Sequence, residues 1–129
     1  MAVAWLFEDE RSNASDAALR RVTSDGAFVP SLWRLEIANM LRNAIRRRRC
    51  DDAYADGSLA ALSRLPIEID QETDSHAWGA THTLSREEGL TPYDAAYLEL
   101  ALRRRLALAS NDKDLLAAAR RRDVAVISA

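Results

Sequence analysis

The sequence predicts an α/β fold: a short parallel sheet flanked by helices on both faces, three layers α/β/α in all. Three observations predict it. Short apolar segments recur at Ala27–Val29, Pro66–Ile69, Leu106–Ala109 and Val124–Ile127, each too short for a helix. Helical patterns separate them, as parallel strands require, since such strands are joined by crossovers that are normally right-handed. The segments are nearly all apolar rather than alternating, which marks strands buried on both faces.

The elements follow in order. Met1 to Phe7 is apolar and reads as a buried helix segment ending near Glu8, Asp9 and Glu10. Ser12 or Asn13 caps a second helix running to about Val22, with Ala14, Ala17, Ala18 and Leu19 inward. Ser24-Asp25-Gly26 is a turn before the first strand. Pro30-Ser31 opens a helix from Leu32 to about Arg48, whose buried stripe is Trp33, Ile37, Met40, Leu41 and Ala44. Asp51 or Asp52 caps the next helix, to about Leu65. After the second strand, one helix is expected from Thr73 or Asp74 to about Arg86, with Gly89 breaking the chain. Thr91-Pro92-Tyr93-Asp94 starts a helix to about Arg105, with proline at its first position. Asn111 or Asp112 caps a helix to about Arg122, and the last strand follows.

Length and composition fit one domain over residues 1–129: 48% of residues are hydrophobic, enough for a core and too many for a disordered chain. The net charge of −2 argues neither for nor against nucleic acid. Cys50 stands alone, so the chain holds no internal disulfide, which fits a reducing cytoplasm. The apolar start is too short for a signal peptide or a membrane span, and no other run approaches ~18 residues. There is no repeat, no linker, no Gly-x-Gly-x-x-Gly and no Walker-type loop, which disfavours a nucleotide-binding α/β domain.

Arginines cluster at 46–49, 103–105 and 120–122, each at an expected helix C-terminus. Cations there complement the helix dipole, and acids at the helix starts complete the pattern. Arg46 to Arg49 exceeds what a cap requires. With Arg34 and Arg42 on the same helix, Arg46 is a candidate for phosphate contact.

Three carboxylates stand apart by their surroundings. Glu36 lies one turn into the helix after the first strand, and Asp112 lies just past the third strand. Ligands of open parallel sheets bind beyond the carboxyl ends of strands. Asp94 begins an apolar helix, and its placement at the same edge is not forced by that rule. If the three converge, they form an oxygen-rich negative pocket suited to Mg²⁺ or Mn²⁺. Carboxylate-bound metal can activate water for phosphodiester hydrolysis. Each acid also has a structural role available: Asp94 in a capping box, Asp112 as an N-cap, Glu36 as a solvated helix residue. His76 and His82 lack the i, i+4 spacing of a zinc helix and read as surface or packing residues. Tyr93 and Trp33 read as core. Ser110 has no histidine near it in sequence to activate it as a nucleophile.

In order, these pieces resemble the PIN-domain toxins of the VapC family from bacterial VapBC toxin–antitoxin systems. The resemblance is carried by Ala4-Trp5-Leu6-Phe7-Glu8-Asp9-Glu10, Pro30-Ser31-Leu32-Trp33-Arg34-Leu35-Glu36-Ile37-Ala38-Asn39, Leu90-Thr91-Pro92-Tyr93-Asp94-Ala95-Ala96-Tyr97-Leu98 and Leu108-Ala109-Ser110-Asn111-Asp112-Lys113-Asp114-Leu115. It spans nearly the whole chain, and the Thr-Pro-Tyr-Asp-Ala-Ala and Ser-Asn-Asp-Lys-Asp-Leu segments are its specific parts. It implies a three-layer PIN fold and a Mg²⁺- or Mn²⁺-dependent endoribonuclease acting on tRNA, rRNA or mRNA. It implies a homodimer restrained by a VapB-like antitoxin. On this resemblance Glu36, Asp94 and Asp112 are the metal-binding and catalytic acids. Ser110 helps orient the site, and Asp114 is a weaker acidic candidate. Beside the resemblance, Arg34, Arg42, Arg46 and Lys113 are the candidate RNA-binding cations.

One departure bears on function. The family begins with a central strand ending in an aspartate that is a main metal ligand, and Met1 falls where that stretch should end. The expectation is a PIN domain incomplete at its N-terminus, with weakened metal binding. The alternative function is therefore a catalytically impaired PIN-like protein that dimerises and binds an antitoxin.

Overall fold

A computed structural model describes residues 6–7 and 10–127. Most of the expected first helix, Met1 to Trp5 with Glu8 and Asp9, lies outside them. Among the described residues are seven helices and four short strands. They run α1 (Asn13–Asp25), β1 (Ala27–Val29), α2 (Trp33–Arg46), α3 (Asp52–Ser63), β2 (Ile67–Ile69) and α4 (Thr73–His76). The rest are α5 (Ala80–Glu88), α6 (Pro92–Arg104), β3 (Leu108–Ala109), α7 (Lys113–Arg121) and β4 (Val126–Ile127).

Local chemistry sets most boundaries. Ser12 caps α1 in a reciprocal capping box with Ser15. The helix ends on Gly26, whose φ of +80° suits a residue without a Cβ; a Cβ there would stand 3.0 Å from the Pro66 carbonyl oxygen. Asp51 caps α3 by accepting from the Tyr54 N–H at 2.8 Å. Thr91 caps α6 by accepting from the Asp94 N–H at 3.2 Å, with Pro92 at the first position. Asp112 caps α7, accepting from the Leu115 N–H at 2.8 Å.

Two expectations need correction. The single helix expected from Thr73 to Arg86 is broken into α4 and α5 around Trp78 and Gly79. Gly79 adopts φ −111°, ψ −108°, outside the helical region, and Trp78 stands almost wholly in solvent. Tyr93 is not core: its side chain is exposed at the start of α6. Trp33 does pack against a core cluster, half-buried.

The strands pair in two parallel ladders. β1 pairs with β2, Ala27 opposite Ile67 and Val29 opposite Ile69, and β3 pairs with β4, Leu108 opposite Val126. The parallel sense agrees with the helical crossovers in the sequence. The described residues thus form two short ladders rather than one continuous sheet.

The core is divided in the same way. One cluster joins α5, α6, α7 and β3 through Leu84, Leu98, Ala101, Leu108 and Leu115. The other joins α2 and α3 through Ile37, Leu41, Ala44 and Leu62, with Phe7. Between them lies a cavity of about 490 Å³, walled by Val22, Phe28, Ile37, Leu100 and Leu108 among others. Among the described residues no helix is long and apolar enough to cross a membrane.

A buried ionic cluster braces β2 against the far end of α6. Arg103 makes a two-pronged contact with Asp70, at 2.6 and 3.1 Å, and another with Glu99, at 2.8 and 3.1 Å. Arg104 adds a 3.4 Å contact to Asp70 and stacks 4.1 Å from the centre of the Phe28 ring. Thr73 donates to the other Asp70 oxygen and accepts from the Ser31 N–H, which links the cluster to the turn before α2. The Arg103 cluster is therefore more than a complement to the helix dipole.

Candidate functional site

The acids are positioned by the ends of three elements. Glu36 sits in the first turn of α2, just after β1. Asp94 sits in the first turn of α6, held there by the Thr91 cap and Pro92. Asp112 sits at the cap of α7, just after β3. The β3–α7 turn is shaped by Ser110, whose buried hydroxyl accepts from the Asp112 N–H at 3.0 Å. Glu36, Asp94 and Ser110 line one cavity, together with Tyr97.

The Asp94 carboxyl feels the charge of Asp112. The Asp94 carboxyl is pushed above the usual aspartate range, first by burial and then by the Asp112 charge, with Asp114 adding to it. A hydrogen bond with Thr91 partly offsets this. Glu36 reaches the same region through Tyr97, whose hydroxyl donates to Glu36 Oε1. The Tyr97 hydroxyl is pushed upward by burial, by that bond, and by the charges of Glu36 and Asp94, so it stays protonated. Tyr97 thus lies within the field of both acids.

Among the described residues, no three His, Cys, Asp or Glu side chains stand close enough together to hold a metal ion. The Asp112 charge reaches the Asp94 carboxyl, and Glu36 is tied to the Asp94 helix by Tyr97. Mg²⁺ is ordinarily held by one or two carboxylates, with water and substrate phosphate completing its shell. The donor chemistry present fits such an ion: oxygen ligands only, like-charged, and reachable from solvent.

The remaining candidates are placed as follows. Arg34, Arg42 and Arg46 are exposed on α2, and Lys113 is exposed beside Asp112. Arg42 makes a loose 3.8 Å ion pair with Asp52, both largely in solvent. Arg121 and Arg122 are engaged with Glu88 at 2.8 and 2.9 Å, which holds its carboxyl below the usual range. His82 lies 3.0 Å from Arg86 on the surface of α5. Asp114 is exposed in the first turn of α7.

Sequence reasoning missed Tyr97 and Asp70. Tyr97 lies three residues after Asp94, on the same side of α6, so helical spacing alone could have flagged it. Nothing near Asp70 in sequence marks a carboxylate that becomes fully enclosed.

The PIN domain family model matches residues 1–121 of the chain. None of the curated proteins searched matches it.

Proposed function

Because the chain belongs to the PIN domain family, whose members are generally metal-dependent nucleases, we propose that it is an endoribonuclease. We read it as a toxin of the VapC kind that hydrolyses RNA phosphodiester bonds with Mg²⁺ or Mn²⁺. The observation that carries this reading is geometric: Glu36, Asp94 and Ser110, the residue that seats the Asp112 backbone, line one cavity.

In this reading Asp94 and Asp112 hold the cation and Glu36 completes its surroundings. A bound divalent ion supplies the Lewis acidity that activates water and stabilises the leaving oxygen. The protein's own residues do the rest. Asp94 is half-buried and repelled by its neighbour, so it gains most from a compensating positive charge. Ser110 keeps the Asp112 backbone in place. Arg34, Arg42, Arg46 and Lys113 are exposed cations available to the RNA backbone, and the loose Arg42–Asp52 pair yields readily to phosphate. As further parts of the same reading, residues 1–129 form one domain, the protein is cytoplasmic, and it acts as a homodimer restrained by a VapB-like antitoxin.

A second reading has one observation in its favour. The absence of a three-acid group among the described residues fits a catalytically impaired PIN-like protein that still binds an antitoxin. RNA cleavage separates the two. The first reading expects cleavage with Mg²⁺, none with EDTA, and at least ~100-fold loss in Glu36→Gln and Asp94→Asn. Cleavage that survives both substitutions rejects the site, and no cleavage at any Mg²⁺ or Mn²⁺ concentration favours the second reading.

A further inference from the structure

We propose that Tyr97 is a positioning residue for this site: its hydroxyl fixes the Glu36 carboxylate at the cavity mouth, ready to meet a divalent cation. The proposal rests on the metal-site reading above and adds to it a residue that is not itself an acid.

The bond spans 61 positions in the chain and joins α6 to α2. These are the helices that carry Asp94 and Glu36. Glu36 is exposed, and a solvated glutamate samples many rotamers. A cation that recruits a free glutamate must order it first, which weakens binding by roughly tenfold. Tyr97 removes that cost in advance, because its ring is half-buried and packed against the α5–α6–α7 core. The hydroxyl occupies Oε1 and leaves Oε2 available. Hydrogen bonds that orient a ligating group are typically worth 10- to 100-fold in metal affinity. Tyr97 also lies one turn from Asp94 on α6, so the same helix fixes one acid directly and the other through its tyrosine.

The test is Mn²⁺ titration without RNA, following free Mn²⁺ by electron paramagnetic resonance. The proteins are wild type, Tyr97→Phe, Glu36→Gln and the double variant. Phenylalanine keeps the ring, and metal-free melting temperatures check that each variant is folded. The expected result is a loss of about tenfold for Tyr97→Phe, a similar or larger loss for Glu36→Gln, and no additional loss in the double variant. Wild-type affinity in Tyr97→Phe alongside weakened Glu36→Gln overturns the role of Tyr97 and leaves the metal site standing. Additive losses overturn it as well, because Tyr97 then acts through something other than Glu36. Unchanged affinity in Glu36→Gln overturns both the inference and the assignment of Glu36 to the metal. A readout that does not depend on the variant's folding margin is the ¹³C shift of the Glu36 carboxyl in the metal-free wild type. A value typical of a freely solvated glutamate contradicts the bond.

Discussion

Asp70 has no exposed side-chain surface, and its charge is met by Arg103, Arg104 and the Thr73 hydroxyl. The Arg103 guanidinium, outweighing the cost of burial, holds its carboxyl down to about 2, against 3.8 for a free aspartate. A carboxyl depressed in the folded state stabilises the protein above its unfolded value, and that stability is lost as the pH falls from about 4 toward 2. The difference corresponds to about 2 kcal/mol. Asp70→Asn is therefore expected to cost about 2–3 kcal/mol at neutral pH, since it leaves Arg103 less well compensated. It is also expected to flatten the acid limb of the stability profile. Denaturant unfolding of both proteins at pH 7 and pH 3 checks this, and an unchanged acid limb in the variant contradicts it. Legibility at this scale divided sharply. Glu36, Asp94 and Asp112 were visible because each sits in a distinctive local segment after a strand or at a cap. Asp70 and Tyr97 were not, because their partners lie 33 and 61 residues away, and no local pattern encodes a contact of that range.

At the scale of elements, caps were the most legible feature. Thr91 caps the helix it opens, and Ser12, Asp51 and Asp112 prove to be the caps where the sequence left each open against a neighbour, because a side-chain oxygen satisfying an open N–H is a local interaction. The Thr91 cap bears on the proposed site, since it fixes the turn that presents Asp94. Thr91→Ala is expected to cost about 1 kcal/mol in stability. It should also weaken Mn²⁺ binding by more than a comparable cap loss at Asp51, which serves a helix without site acids. Thermal unfolding and Mn²⁺ titration of Thr91→Ala and Asp51→Ala measure both effects; equal metal affinity in the two variants contradicts the role given to the α6 turn. The break between α4 and α5 was less legible. Gly79 is an isolated glycine inside the expected helix, a signal that does not by itself end one, and the exposure of Trp78 depends on what packs nearby rather than on periodicity.

For the whole molecule, the helix–strand alternation fixed the parallel sense of both ladders but not how they are arranged. Strands of two or three residues carry too few side chains to specify neighbours beyond their own partner. The result is two core clusters with a cavity between them, lined by Glu36 and Asp94 and by Ser110, which seats the Asp112 backbone. The Arg103 cluster and the Tyr97–Glu36 bond are two of the ties across this division, one toward β2 and one toward α2. The proposed site, drawn from α2, α6 and α7, depends on those ties, because α2 belongs to one core cluster and α6 and α7 to the other. The measurement closest to that claim is anomalous diffraction from crystals soaked in Mn²⁺. The expected result is a peak within ligand distance of Asp94 and Asp112, facing the Glu36 carboxylate. Crystals saturated with Mn²⁺ that show density only elsewhere on the surface would contradict it.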